Sequence, residues 1–302
     1  MITFSIDYLS FTIFNVDIEV LCQHLPHHDI VALDKGKLGY KRALLYKNIW
    51  ILYDGKEDMG IHVDCSSKNL GYITDILDIP LLQGNVKYTR IDLACDVYNL
   101  SLFEDCYLNC KLHNFRTKRK KRSVIESFDT STNKLNGRTI YFGSRVSSVY
   151  MRIYDKGLEQ KVDEDWTRIE LEIKGDSANN LAKLINSAPL DIIFFKIINN
   201  YFAFVDRTTC SNISRAPLLE FWEMLIKTDE SMTVAPKKEE QSIDKTYTWL
   251  LKQVSRSLGK IAAADKKTNA GLIEGLIKIG EQKLSIDDVQ QVQEFDKRRK
   301  HA

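Results

Sequence analysis

The run Tyr150-Met151-Arg152-Ile153-Tyr154-Asp155-Lys156 sets a phenol between two cations, each two residues away. Side chains alternate along a strand, so Val149, Met151 and Ile153 face a core while Tyr150, Arg152, Tyr154 and Lys156 share the opposite face. A phenol in that setting suits attack on a phosphodiester. The cations would neutralise phosphate oxygens and favour the phenolate of a group whose free pKa is ~10. Tyr141, which alternates with Ile140 and Phe142, and Tyr150 are also eligible, and spacing alone does not choose among the three. An amphipathic strand whose long polar side chains only cover a sheet would show the same pattern.

Three more segments share the design. Thr89–Val97 puts Arg90, Asp92, Ala94 and Asp96 on one face, and Arg168–Lys174 does so with Arg168, Glu170, Glu172 and Lys174. Ile61–Asp64 pairs His62 with Asp64. Carboxylates on adjacent strands lie about 5 Å apart, close enough to share a hard cation such as Mg²⁺ or Mn²⁺. Asp92 and Asp96 are roughly 13 Å apart along one strand, so the expected ligands are Asp92 with Glu170 or Glu172.

In this order the segments resemble the Rep_trans class of rolling-circle replication initiators of plasmids and filamentous phages, relatives of conjugative-element relaxases. Thr89-Arg90-Ile91-Asp92-Leu93-Ala94-Cys95-Asp96, Thr139–Arg145 running on to Arg152-Ile153-Tyr154-Asp155-Lys156, and Trp166–Lys174 carry the resemblance, with a weaker match at Met59–Asp64. The chain departs from it at Ser66–Gly71, where many phage-type members have a Gly-Gln-Gly turn.

The resemblance implies a site-specific DNA nickase and strand transferase. Tyr154 falls on the family's Arg-Ile-Tyr-(Asn/Asp)-Lys tyrosine and would keep a 5′ phosphate as phosphotyrosine, leaving a 3′ hydroxyl for a polymerase. Arg152 and Lys156 would stabilise phosphate charge, and a divalent metal on Asp92 with Glu170 or Glu172 would polarise the phosphate. The partners it implies are origin DNA, a host helicase and a polymerase, with a homodimer compatible. A conjugative relaxase has the same chemistry. A DNA-binding regulator without catalysis and a hydrolytic metal nuclease are the readings outside it.

Composition is compatible. A net charge of +2 supplies no global field for nucleic acid, so affinity must come from local patches. The strongest is Arg116, Lys118, Arg119, Lys120, Lys121 and Arg122, six cations in seven residues, which a phosphate backbone rewards by counterion release. It opens a polar stretch to Arg138 that reads as a mobile connection. The six cysteines show no paired zinc spacing and read as free thiols. Residues 1–14 lack a secretory leader's basic start, and no apolar run approaches the ~18 residues of a membrane span, so a reducing cytoplasm is expected.

The expected fold is α+β. Ser5–Leu9 resembles Arg90–Ala94, Ile51–Gly55 resembles Thr139–Gly143, and Ile61–Asp64 resembles Met151–Tyr154, so two similar β-hairpin halves would join in a mostly antiparallel sheet. Helices at Gly71–Ile79 and Ser177–Asn186 would cover one face and leave the polar face to DNA. A core helix is expected at Ile192–Phe204 and a short one at Leu218–Lys227. Residues 1–232 would form the catalytic domain, Thr233–Ser242 a linker, and 243–302 a unit of three helices for DNA recognition or dimerisation, broken near 262–268 and 280–285.

Overall fold

A computed structural model describes residues 1–185, 187–208, 212–226 and 242–300; the expected linker lies almost wholly outside them. The strands, in chain order, are β1 (Ile2–Ile13), β2 (Ile30–Leu33), β3 (Arg42–Tyr46), β4 (Ile49–Tyr53), β5 (Ile61–Ser66), β6 (Val86–Tyr98), β7 (Phe115–Thr117), β8 (Arg122–Phe128), β9 (Leu135–Phe142), β10 (Val149–Asp155), β11 (Trp166–Lys174) and β12 (Phe202–Phe204). The helices are α1 (Ile18–Gln23), α2 (Thr74–Leu77), α3 (Leu102–Lys111), α4 (Lys156–Gln160), α5 (Asp176–Ile185), α6 (Leu190–Tyr201), α7 (Glu220–Leu225), α8 (Ile243–Gln253), α9 (Ser255–Thr268), α10 (Leu272–Glu281) and α11 (Ile286–Lys300).

The fold is α+β around a 10-stranded antiparallel sheet of order β2-β3-β4-β5-β1-β6-β11-β10-β9-β8. The long strands β1 and β6 pair at its centre, with Tyr8 opposite Asp92. Each is flanked outward by four strands, so the sheet has two halves, as the repeat implies. Their correspondence is shifted by one strand from the sequence match. By position β5 answers to β11 and β4 to β10, so Ile61–Asp64 matches β11 and not the tyrosine strand. Amphipathic strands of period 2 look alike wherever they sit, and similarity among them does not reveal sheet order.

The apolar face is buried by helices. Ile91, Leu93, Cys95 and Val97 of β6 and Ile169, Leu171 and Ile173 of β11 share one core with Leu181 of α5, Phe194 and Ile197 of α6, and Phe103 of α3. Asn179 anchors α5 to β6, its side chain accepting from Tyr88 N at 2.9 Å and donating to Tyr88 O at 2.9 Å.

Two stretches differ from expectation. Residues 123–138 are no unstructured connection: β8 and β9 form a hairpin at the sheet edge. All seven residues of β8 are exposed, so the strand has no buried face to announce it. The helix expected through Phe204 ends at Tyr201, and Phe202-Ala203-Phe204 turns extended to pair with β7. An unbroken apolar run does not distinguish buried helix from buried strand.

The chain divides into two units, Met1–Pro236 and Lys237–Ala302. The second has four described helices where three were expected. Breaks fall at Val254, around Asn269–Gly271, where φ is 48° and 68° at the two ends, and at 282–285, where one was expected. Asp265 accepts from Leu272 N at 2.9 Å and Ile273 N at 3.1 Å, capping α10. Ser285 and Asp288 make a reciprocal capping box at α11, with Ser285 N donating to Asp288 Oδ2 at 2.8 Å and Asp288 N to Ser285 Oγ at 3.2 Å.

Candidate active site

Strand β10 lies between β9 and β11, and antiparallel register decides what Tyr154 meets. Tyr154 is opposite Arg168, and Arg152 opposite Glu170. The Tyr154 hydroxyl donates to Glu170 Oε2 at 3.1 Å. Arg152 donates to the other oxygen of the same carboxylate. One carboxylate therefore holds the phenol and a cation that flanks it in sequence.

Lys156 reaches the site from a helix instead of the strand. Asp155 Oδ1 accepts from Leu158 N at 3.0 Å, capping α4 and ending β10. The turn back to β11 is so tight that a Cβ on Gly157 would stand 2.2 Å from Glu164 O. Lys156 Nζ still lies 5.4 Å from the Tyr154 ring centroid, and it pairs with Glu159. Tyr141 and Tyr150, the other two tyrosines, stack on each other at 5.6 Å.

The phenolate is not favoured as the flanking cations suggest. Burial, and then the negative charge of Glu170, push the Tyr154 phenol well above its ordinary value, and Arg168 opposes them only in part. The tyrosine is thus a protonated hydrogen-bond donor, 9% exposed.

Beside it the polar face is acidic and closed. Asp92, Glu170 and Glu172 are buried, at 1%, 2% and 7% exposure. Glu172 lies opposite Asp92, and Glu170 two residues away opposite Ala94. Arg90 Nε donates to Asp92 Oδ1 at 2.7 Å, and Arg90 Nη2 lies 3.0 Å from Glu172 Oε2. Lys174 Nζ lies 2.6 Å from Glu172 Oε1. Burial raises the Asp92 carboxyl; Arg90 pulls it back, Glu170 and Glu172 push it further, and it stands at about 7.

No three metal-binding groups converge to ligand distance among the described residues. The donor chemistry nonetheless suits a hard cation, being all-carboxylate oxygen in a buried setting. Positive charge already bridges the cluster, because Arg152 Nη2 contacts Glu170 and lies 3.8 Å from Asp92 Oδ2.

Several residues beyond those expected take part. Arg168 is clamped by Asp96, at 2.7 Å and 2.8 Å, and by Asp7 at 2.7 Å, and Trp166 Nε1 donates to Asp96 Oδ1 at 2.6 Å. This clamp orients the cation opposite Tyr154. Tyr8 joins the two halves: its ring lies 4.5 Å from the Arg90 guanidinium, and its hydroxyl donates to Asp64 Oδ1 at 2.6 Å. The likeness of Ser5–Leu9 to Arg90–Ala94 was the available signal for Asp7 and Tyr8.

The side chains of the six-cation cluster are not gathered into one patch. Lys120 and Lys121 are exposed at a bend. Arg119 is half-buried with its guanidinium 4.3 Å from the Tyr201 ring. Arg122 donates to Cys110 O and lies 5.3 Å from the Phe115 ring. Arg116 and Lys118 turn toward the end of α6, bonding Ser214 O at 3.2 Å and Asn200 Oδ1.

Comparison with known proteins places the acidic cluster and Tyr154 within one matched segment. A family model described as replication initiation factor, Rep_trans, matches residues 86–277. The Bacillus subtilis (strain 168) protein named "Putative DNA relaxase NicK" is 25% identical over 291 residues, covering 86% of this chain and 81% of its own. A solved rolling circle replication initiator protein from Geobacillus stearothermophilus superposes with a TM-score of 0.67 at 23% identity, covering 79% of this chain and all of its own, and shares the fold.

Proposed function

Because the chain belongs to the replication initiation factor family, we propose that it nicks and rejoins one DNA strand at an origin through Tyr154. The Tyr154 oxygen attacks the scissile phosphorus, the bond from phosphorus to the 3′ oxygen breaks, and a 5′-phosphotyrosine forms. The phenol proton passes to the carboxylate of Glu170, which already accepts its hydrogen bond, and the departing 3′ oxygen takes up a proton to become the primer hydroxyl. Arg152 and Lys156 neutralise the non-bridging oxygens, while Arg168 offsets the negative charge that keeps the phenol protonated. Rejoining runs the same steps in reverse from a free 3′ hydroxyl.

Asp92 with Glu170 or Glu172 would hold a divalent cation, Mg²⁺ or Mn²⁺, which supplies Lewis-acid polarisation of the phosphate when bound. Exposed Lys120 and Lys121 contact the DNA backbone on this reading. The C-terminal helices serve origin recognition or dimerisation, a host helicase and polymerase act after the nick, and the setting is the cytoplasm. The relative named as a DNA relaxase favours, as a second form of the same chemistry, action on a conjugative element. No described helix is long and apolar enough to cross a membrane.

The observation that carries the proposal is the shared carboxylate: Tyr154 and Arg152 on the two oxygens of Glu170. The test incubates the protein with Mn²⁺ and labelled single strands tiled across its own genetic element. Label should move into a protein band on a denaturing gel with wild type. With Tyr154→Phe that band should fall by about 10³-fold or more. It should persist with Tyr150→Phe and Tyr141→Phe and vanish when EDTA replaces Mn²⁺. An adduct from Tyr154→Phe would move the nucleophile to another tyrosine. Cutting without an adduct would mean hydrolysis, and binding without cutting a regulator.

A further inference from the structure

A second basic site lies away from the catalytic face. Strand β7, the C-terminal end of α6 and the segments around Arg207 and Ser214 enclose a cleft of about 590 Å³. Arg116, Lys118, Arg207, His113, Asn199 and Asn200 contribute its polar lining, and Phe115, Tyr201 and Phe202 part of its floor. Among the described residues that line it there is no Asp or Glu. It sits on the helix-bearing side of the sheet, because Phe115 and Phe202 pack on Phe142, a core residue of β9, at 5.2 Å and 4.4 Å.

Its cations are held differently from those of the catalytic face. There Arg90, Arg152, Arg168 and Lys174 each touch a carboxylate. In the cleft Arg116 bonds Ser214 O, Lys118 bonds Asn200 Oδ1, and Arg207 bonds His113 O at 3.1 Å, all neutral oxygens. Their charge is positioned without being cancelled by a carboxylate among the described residues. At the helix end Tyr201 O accepts from Lys118 N at 3.0 Å and Thr117 Oγ1 at 3.1 Å. On the catalytic face cations and carboxylates largely balance, whereas the cations of this cleft are left to attract a polyanion.

We propose that the cleft binds the phosphate groups of a DNA strand as it runs from the catalytic face around the β8–β9 edge, with Arg116, Lys118 and Arg207 as the phosphate contacts. The volume falls within the range of about 300–1,000 Å³ usual for small ligands, room for one or two nucleotides. Exposed Lys120 and Lys121 lie at the bend between β7 and β8, on the chain path that joins the two regions. The proposal rests on DNA being the substrate and adds a second place where the strand is held.

The test measures binding of a fluorescent single-stranded oligonucleotide at several salt concentrations. The proteins compared are wild type, R116Q/K118Q/R207Q, and the charge-matched control K41Q/R42Q/K87Q, each shown to be folded by circular dichroism. Each lost contact on a single strand lowers the log–log salt slope by about 0.7, so the cleft variant should lose about 2 from it and bind at least about tenfold more weakly, where the control does not. R207E alone, at an exposed rim position, should weaken binding in the same direction. Equal slopes for cleft variant and control overturn the proposal. If wild type binds no DNA, the proposed function fails too, and inorganic pyrophosphate in a thermal-shift assay then shows what the cleft takes. Stabilisation lost in R116Q/K118Q/R207Q would assign it to free phosphates and overturn the strand assignment, and no stabilisation would leave it without an anion site.

Discussion

On the N-terminal half of the sheet, β5 sets Asp64 beside the central strand β1; on the C-terminal half, β11 sets Glu170 and Glu172 beside β6. The strand order is the same, but the outcome is not. Asp64 accepts from Tyr8 at 2.6 Å, contacts His62 Nε2 at 3.2 Å and pairs with Lys37 at 2.8 Å. Burial alone would raise its carboxyl; the bonds from His62, Lys37 and Tyr8 outweigh that and hold it well below the usual range. Asp92 has two carboxylates for neighbours and stands at about 7. Across from Asp64 is Trp50, an indole that has no hydroxyl to attack with, whereas β10 offers Tyr150, Arg152 and Tyr154 to β11. The N-terminal face is also covered. Lys37 lies 4.5 Å from the Trp50 ring, Tyr40 stacks on His62 at 6.1 Å, and Tyr40, Ala43 and Leu52 form a small apolar cluster there. A buried carboxylate with donors on both oxygens holds the fold together; crowded carboxylates leave negative charge to be answered by a cation or a proton.

The comparison can be broken by substitutions on either half. The largest effect is expected from Glu170→Gln, which removes the acceptor of the Tyr154 proton: adduct formation should fall by about 10²–10³-fold with oligonucleotide affinity kept, as read by single-turnover labelling beside anisotropy. A change below tenfold would assign the carboxylate to packing. Asp64→Asn should do the opposite, lowering stability by about 2–4 kcal/mol in urea unfolding while leaving adduct formation within about threefold at a temperature where the variant is folded. The sign with pH follows from the depressed folded pKa. Asp64's contribution is present above the unfolded carboxylate value of about 4 and is lost as pH falls below it, so wild type and Asp64→Asn should converge in stability on acidification. The smallest effect is expected from Trp50→Tyr in a Tyr154→Phe background. A phenol opposite Asp64 should restore no adduct, and stability should change by only about 1–2 kcal/mol. Recovered adduct would make the N-terminal half a second, latent site.

Much of the candidate site could be read from alternation. Tyr154, Arg152, Asp92, Glu170 and Glu172 share the polar side of their strands, and β10, β11 and β6 are neighbours. Legibility failed where a strand lacks a buried face, as in β8, where an apolar run switches from helix to strand at Phe202, and where a cap turns Lys156 off the strand. The basic cluster shows the same limit in one dimension: six adjacent cations cannot reveal that Arg119 and Arg122 pack on aromatic rings while Arg116 and Lys118 enter a cleft completed by Arg207.

By itself the sequence determined which side chains share a strand face, because period 2 is a property of the extended backbone. It also carried the family's ordered motifs, and with them the candidate nucleophile. Tertiary structure decided which strands are neighbours, and so which carboxylate meets the phenol and which cation meets which carboxylate. It also decided protonation: flanking cations in the chain argue for a phenolate, but burial and Glu170 outweigh them once the sheet is assembled. Coulomb and desolvation energies depend on distance and burial in space, and neither is a property of sequence separation.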